Sequence, residues 1–229
     1  MVKTLKLATL LMAVLMLQSC LNNDDNFHPV VIGTAKVIDN DPNSVYFILD
    51  TGYKLLPNNI EDISRNDIED NQRVFLQIKD VEEDESKKEI HGTIIMWVKI
   101  KTQAVEFTES VTTGNELMKN SDPVNIVDAY VVNGFLTLKC HYKGTQLNDS
   151  HKFNLYALKD AESDKDGHFQ LYLTHDATED NEGSVNTVFL SFPVDNIQDE
   201  IDSHKSTVIS FKTYYSGYEN YTVYIKKQK

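Results

Sequence analysis

Hydrophobic and polar residues alternate along most of this chain, from about residue 30 to the end. Val74, Leu76 and Ile78 share one face of a short segment, and the segment 92–101 repeats the pattern. A period of two is typical of strands with one buried face. In the segment 92–101 it predicts that the following residues face a core: Ile94, Met96, Val98 and Ile100. The pattern therefore predicts an all-β protein.

Turn signals divide the first part of the chain into five short strands. The segment 39–43 and Asp50-Thr51-Gly52 favour chain reversals, and the charged segment 82–88 is typical of a solvated hairpin tip. Five consecutive strands fit a small closed barrel, which leaves no exposed sheet edge. We predict this barrel for residues 30–108.

A second set of strands begins after the segments 112–114 and 120–123, where we place the domain boundary. Asn133-Gly134 is a hairpin signal, and seven strands at regular spacing predict a β-sandwich over residues 120–229. Only the segment 195–201 indicates a short helix. Cys140 shares a strand face with apolar neighbours, which predicts a buried and unreactive thiol.

The first 19 residues have the layout of a signal peptide. Lys3 and Lys6 precede an apolar stretch, Leu7–Leu17, that would reach about 16 Å as a helix, or half of a bilayer core. Leu17-Gln18-Ser19-Cys20 resembles a bacterial lipobox, which implies diacylglycerol on the Cys20 thiol and an acyl chain such as palmitate on its amine. An ordinary secretory signal followed by an incidental cysteine is the alternative. Residues 20–29 would form an acidic tether.

The net charge of the chain disfavours some classes of binding partner. The formal net charge is −13 and the pI is about 4.9, which disfavours nucleic acid. An anionic bilayer surface would also repel the chain, so we expect membrane attachment through the lipid on Cys20. With Cys20 acylated, Cys140 is the one remaining thiol and no intramolecular disulfide forms.

The order of these segments resembles the NigD-like lipoproteins of Bacteroidota. The segments that carry the resemblance are Gly33-Thr34-Ala35, the run 45–52, Asn71-Gln72-Arg73-Val74 and the run 126–138. The resemblance implies an N-terminal OB-type domain and a C-terminal β-sandwich. It also implies an outer-membrane, surface-exposed lipoprotein, since Asn22-Asn23-Asp24-Asp25-Asn26 is similar to the export signal of such proteins. The family is associated with bacteriocin immunity and has no recognised catalytic residues.

The chain lacks the common catalytic motifs. No GxSxG, phosphate loop, HExxH or CxxC occurs, and we predict a protein that is not an enzyme and uses no cofactor or metal. The acidic run 160–167 is similar to a calcium loop, although Leu173 stands where a bidentate glutamate is needed, so a solvated turn is the better interpretation. A contact between His141 and His151 across a turn is a weaker alternative for a metal site.

The candidate ligand-binding residues are Tyr214, Tyr215 and Tyr218, around a predicted hairpin. Exposed tyrosines stack on sugar rings or anchor protein partners, although Tyr214 and Tyr221 would equally pack against the turn. The sequence predicts a binding or immunity-type module for a protein or glycan ligand. The alternative is a structural accessory subunit of an outer-membrane complex.

Overall fold

The computed structural model describes residues 28–38, 45–62, 68–145, 151–159, 167–215 and 217–223. Its two cores belong to a closed five-stranded barrel and to a sandwich of a five-stranded and a four-stranded sheet. The all-β prediction is therefore confirmed. The predicted signal peptide, Cys20, most of the tether and residues 160–166 of the acidic run lie outside the described residues. No helix in the described ranges has the length and apolar character to cross a membrane.

The barrel occupies residues 30–99 and closes in the order β1-β2-β3-β5-β4. Its strands are β1 Val30–Val37, β2 Val45–Leu49, β3 Lys54–Pro57, β4 Arg73–Asp84 and β5 Glu89–Lys99. A 3-10 turn spans Ile60–Asp62. Val74, Leu76 and Ile78 point inward and are buried as predicted. The charged segment forms the turn between β4 and β5, which confirms the predicted hairpin tip.

The predicted inner face of this segment is wrong at Met96 and Val98, whereas Ile94 and Ile100 are buried as predicted. A register shift places Ile78 opposite Ile94 but Gln77 opposite Met96, so one extra residue enters β5. A bulge of this kind moves every following side chain to the other face. Met96 and Val98 are therefore 43% and 51% exposed on the outside of the barrel, whereas Trp97 packs against its core.

The sandwich consists of two sheets over a single large core. One sheet has the order β6-β12-β9-β8, and the other has the order β14-β13-β11-β10-β7. The strands are β6 Lys101–Thr102, β7 Glu106–Thr108, β8 Asn125–Val132, β9 Phe135–Gly144, β10 Lys152–Leu158, β11 His168–Asp176, β12 Ser184–Pro193, β13 Ser206–Thr213 and β14 Gly217–Val223. Helix α2, Gln198–Ser203, overlaps the segment 195–201, where the sequence indicated a short helix, and leads into β13.

Residues 101–119 belong to the sandwich, which corrects the predicted barrel limit at residue 108. Strand β6 pairs with β12, and β7 pairs with β10. The predicted boundary segment contains helix α1, Val111–Lys119, which the period-two pattern missed. The Ser110 side chain caps this helix by accepting from the Thr113 N–H. A Cβ at Gly114 would lie 2.5 Å from the Tyr172 ring, so only glycine lets α1 pack against β11.

A buried ion pair joins the two domains. The Arg73 side chain is fully buried and donates from both Nη atoms to Asp50, at 2.6 and 2.7 Å. The remaining partners come from both domains, because Arg73 also donates to Thr34 of the barrel and to Thr137 of the sandwich. Tyr130 of β8 donates to Asp50 Oδ2 at 2.9 Å. The sandwich therefore adds hydrogen bonds to this buried pair, from Thr137 and Tyr130, that the barrel alone does not supply.

The β8–β9 hairpin supplies the sandwich side of this contact. Asn133 and Gly134 have positive φ values of 51° and 79°, which confirms the predicted hairpin turn. Asn133 Nδ2 donates to the Leu49 carbonyl at 3.2 Å, and the Phe135 ring lies 5.1 Å from the Arg73 guanidinium. The hairpin therefore brings four side chains that point away from the sandwich core into contact with the barrel: Tyr130, Asn133, Phe135 and Thr137.

Replacing Asp50 with alanine is expected to destabilise the protein by about 3–5 kcal/mol, because the Arg73 charge would be left buried without its partner. Chemical denaturation of wild type and variant measures this difference. The control is Lys87→Ala, which removes a solvent-exposed pair with Asp84 and should cost less than about 1 kcal/mol. Replacing both charges, as Asp50→Leu with Arg73→Met, should recover much of the loss. Equal effects of Asp50→Ala and Lys87→Ala would contradict this role.

Candidate functional site

A cleft of about 370 Å³ lies between the outside of the barrel and one side of the sandwich. Its barrel wall contains the exposed Met96 and Val98 together with Phe75. Its sandwich wall is formed by the following residues: Tyr142, His151, Phe153, Thr187, Val188 and Phe189. The lining is mostly apolar and aromatic, which is typical of ligand sites.

Two local features of the chain produce this cleft. The bulge in β5 turns Met96 and Val98 outward, and the Phe75 ring contacts the Phe189 ring with centroids 5.5 Å apart. The chain then passes from β5 through Ile100 to β6, and the Ile100 N–H donates to the Arg73 carbonyl beside the buried ion pair. The cleft thus depends on the same contact that fixes the two domains.

The cleft is locally basic in a chain of net charge −13. Lys99 and Lys101 line it, and none of its described lining residues carries a carboxylate. Lys101 Nζ donates to the His151 carbonyl at 3.1 Å, while Lys99 makes only a long, exposed contact of 3.8 Å with Glu69. An apolar ligand that carries a negative group is the chemistry that this lining favours.

Two buried histidines support the sandwich wall. His175 Nδ1 lies 3.0 Å from the Pro123 carbonyl, which only accepts, so this nitrogen carries a proton. The other ring nitrogen of His175, Nε2, then accepts a hydrogen bond from His151 Nδ1–H, with 2.9 Å between the two nitrogens. His151 Nε2 lies 3.4 Å from Asp180 Oδ2. The Tyr142 ring centroid is 4.4 Å from that of His151. These contacts fix the His151 ring in the cleft. The alternative contact predicted from the sequence was between His151 and His141.

The three predicted tyrosines have different surroundings. The Tyr214 hydroxyl accepts from the Lys143 N–H at 2.7 Å, so its ring is used in packing. Tyr221 packs against the sandwich core. Tyr215 is 89% exposed, and Tyr218 is 50% exposed. Tyr215 and Tyr218 are therefore accessible to solvent, and their role in ligand binding stays a prediction.

Tyr218 lines a second groove of about 590 Å³ between α1 and β14. The other lining residues are Thr112, Asn115, Glu116, Met118, Lys119, Ser210 and Asn220. Ser210, at the base of this groove, accepts from Gln170 at 2.8 Å and donates to Asn220. Because its lining is polar and mostly exposed, this groove is less typical of a ligand site than the cleft between the domains.

The other chemical candidates have a structural role or none. Burial raises the pKa of the Cys140 thiol to about 12, which fits the predicted unreactive side chain. Within the described ranges, no group of three or more His, Cys, Asp or Glu side chains is arranged to hold a metal ion. His168 and His175 lie at opposite ends of β11. None of these candidates provides a reactive or metal-holding group among the described side chains.

Family models match both halves of this architecture. The NigD-like N-terminal OB domain matches residues 34–98, and the NigD-like C-terminal beta sandwich domain matches residues 103–225. The chain belongs to the NigD-like family. No match was found among curated proteins. NigD-like proteins therefore provide the family context for the cleft.

Solved structures share the fold of this NigD-like chain at low sequence identity. A candidate toxin-related protein of Parabacteroides distasonis is 21% identical, with a TM-score of 0.65 over 86% of this chain and 92% of the other. A candidate lipoprotein of Bacteroides fragilis is 14% identical, with a TM-score of 0.64 over 89% and 100%. A NigD-like immunity protein of Bacteroides caccae is 18% identical, with a TM-score of 0.60 over 88% and 94%. The fold thus extends over nearly the whole of each protein.

Acid is expected to destabilise this NigD-like protein partly through His175. Burial lowers the pKa of His175; the hydrogen bond to Pro123 opposes this shift, and His151 adds to it. The folded-state pKa is thus below the unfolded value of about 6.5, so the unfolded state binds more protons and stability is lost as pH falls below about 6.5. Denaturation of wild type and His175→Gln between pH 5 and 7 should show a weaker pH dependence in the variant. The exposed control His91→Gln should retain the wild-type slope, and equal slopes in all three proteins would contradict the assignment.

Proposed function

We propose that this NigD-like protein is a lipid-tethered, non-catalytic binding module of the bacterial outer membrane, and that it captures a polypeptide in the cleft between its domains. The observation that carries the proposal is the cleft itself. Its walls come from both domains, and Met96 and Val98 are solvent-exposed in it. Large apolar side chains exposed beside aromatic ones are typical of partner-binding surfaces.

The names of the structural relatives support a polypeptide partner. One is named an immunity protein and another is named as related to a toxin. From these two names we infer that the partner is a toxic polypeptide. We extend this immunity-type role to the present chain, at the cell surface, with the toxin itself unidentified.

The tether would place the cleft close to a membrane. Val30 pairs with Gln77, and Gln77 pairs with Met96, so the chain enters the barrel beside the cleft wall. Val30 follows Cys20 by ten positions, and a fully extended chain over ten residue steps spans at most about 35 Å. Acyl chains on Cys20 would hold the cleft within this distance of the bilayer surface. A polypeptide that arrives at the membrane would meet the cleft there.

Introducing a charge into the cleft is expected to abolish capture. The experiment uses tagged, full-length protein in its native envelope, with Val98→Glu and the control Val111→Glu. These valines are 51% and 53% exposed, and Val111 lies on α1, away from the cleft. A partner found with wild type is identified by mass spectrometry, purified and titrated calorimetrically. Val98→Glu should weaken its Kd at least about tenfold, because a bound partner would bury the glutamate among apolar side chains, and Val111→Glu should not.

Two results would contradict the proposal. Equal affinity of both variants would mean that the partner binds elsewhere. Stoichiometric recovery of an outer-membrane complex with wild type and both variants would favour the structural accessory role instead.

Replacing Cys20 with serine is expected to release the protein from the membrane fraction. Wild-type cells given labelled palmitate should incorporate the label into the protein, and mass spectrometry should find an acylated N-terminal cysteine. Cys140→Ser is the matched control and should remain membrane-bound. An unmodified Cys20, or an intact leader, would contradict the tether. Protease treatment of whole cells then tests surface exposure.

A further inference from the structure

Strand β12 has a long free edge beside the cleft. It pairs with β9 along its whole length, from Ser184 to Pro193, but with β6 only at Leu190 and Ser191. Among the described residues, no strand pairs with the other side of residues 184–189. The reason is that the connection between the domains, residues 100–108, supplies only two short edge strands, β6 and β7.

One hydrogen bond shows which backbone N–H and C=O groups of β12 point toward the free edge. The Gln103 N–H donates to the Ser191 carbonyl at 3.0 Å, so the backbone groups of Ser191 face the β6 side. Both backbone groups of a residue point to the same side, and the side alternates along a strand. The N–H and C=O groups of Val185, Thr187 and Phe189 therefore face the free edge.

This edge lacks the devices that normally prevent strand addition. Charged residues, proline and bulges are the usual protections, but residues 184–189 read Ser-Val-Asn-Thr-Val-Phe, and their register with β9 is continuous. The outer strands on the far sides of the two sheets are protected. Strand β8 has a register shift before Asp128, and β14 carries Glu219. The unprotected edge thus coincides with the cleft.

The cleft supplies the side-chain contacts that an added strand needs. Thr187 and Phe189 of the edge line it together with Met96 and Val98, and Val185 is 62% exposed next to it. Peptides that extend a sheet gain affinity from backbone hydrogen bonds and specificity from pockets for alternate side chains. The free edge and the apolar cleft provide both.

The charges define one end of the ligand. Strand β6 is parallel to β12 and begins at Lys101, so a parallel strand beside residues 185–189 would end against Lys101 and Lys99. Among the residues that the structure describes, none that lines the cleft carries a carboxylate. A C-terminal carboxylate is the group that complements two lysines at this position.

We propose that the cleft binds the extended C-terminal segment of a partner protein, which adds as a parallel strand beside Val185–Phe189 and places its carboxylate near Lys99 and Lys101. This proposal rests on the proposed polypeptide-binding function and specifies its mode. A second copy of this chain, paired edge to edge, is the competing occupant.

Amide hydrogen exchange of the full-length protein tests the free edge. The amides of Val185, Thr187 and Phe189 should exchange quickly, whereas those of Asn186 and Val188, which face β9, should exchange slowly. Slow exchange of all five amides in a protein that light scattering shows to be monomeric would mean that the chain covers its own edge. A dimer with slow exchange would assign the edge to a second copy. Both results overturn the proposal.

The binding probe is a library of synthetic heptapeptides in which Val, Leu or Phe alternates with Thr, each with a free C-terminal carboxylate. Bound peptide should slow exchange of the three edge amides. Thr187→Pro removes an edge N–H and should weaken binding at least about tenfold, whereas Thr187→Ala retains the N–H, loses only a side-chain contact and should weaken binding much less than Thr187→Pro. Amidation of the peptide C-terminus should weaken binding several-fold.

Several controls keep the outcomes distinct. Thr187→Pro is used only if its melting temperature matches wild type; otherwise peptides N-methylated at alternate amides replace it, and they should fail to bind. Absence of any peptide with a Kd below about 1 mM, or equal binding to the proline and alanine variants, overturns strand addition. A native partner that is lost with Val98→Glu but retained with Thr187→Pro overturns the mode and leaves the proposed function standing. A native partner that is retained with both variants overturns both the strand-addition mode and the proposed function.

Discussion

The Arg73 guanidinium is fully buried at the junction of the two domains, and its charge requires a complete set of partners. Asp50 of the barrel supplies the counter-charge, but Tyr130 and Thr137 of the sandwich supply further hydrogen bonds. Separating the domains would remove these hydrogen bonds from the sandwich and would expose the ion pair to water. The relative position of the barrel and the sandwich is therefore part of the stability of the chain.

The cleft is a consequence of this fixed arrangement. The outer face of β5 would be an ordinary barrel surface if the sandwich were absent, and the free edge of β12 would be open on all sides. Docking places Met96 and Val98 opposite Phe189 and leaves room between them. Neither domain contains the site alone, because one wall is the outer face of the barrel and the other is a side of the sandwich.

The connection between the domains has two structural effects. Residues 100–108 carry the chain from the barrel to both sheets of the sandwich, and β6 and β7 are too short to cover the sides of these sheets. The same segment brings Lys99 and Lys101 to the end of the free edge. A short linker thus leaves an opening and gives it a positive charge in a strongly acidic protein.

Period-two alternation and turn residues were enough to predict the all-β class, the five-stranded barrel, the Asn133-Gly134 hairpin and the burial of Cys140. These features depend on local conformation and on which face of a strand is apolar, and both can be read from neighbouring residues. Helix α1 was missed because its stability comes from a Ser110 cap and from packing of Gly114 against Tyr172. The outward direction of Met96 and Val98 was decided by a bulge against β4. The buried ion pair, the cleft and the free edge join residues far apart in the chain, so only the tertiary structure determined them.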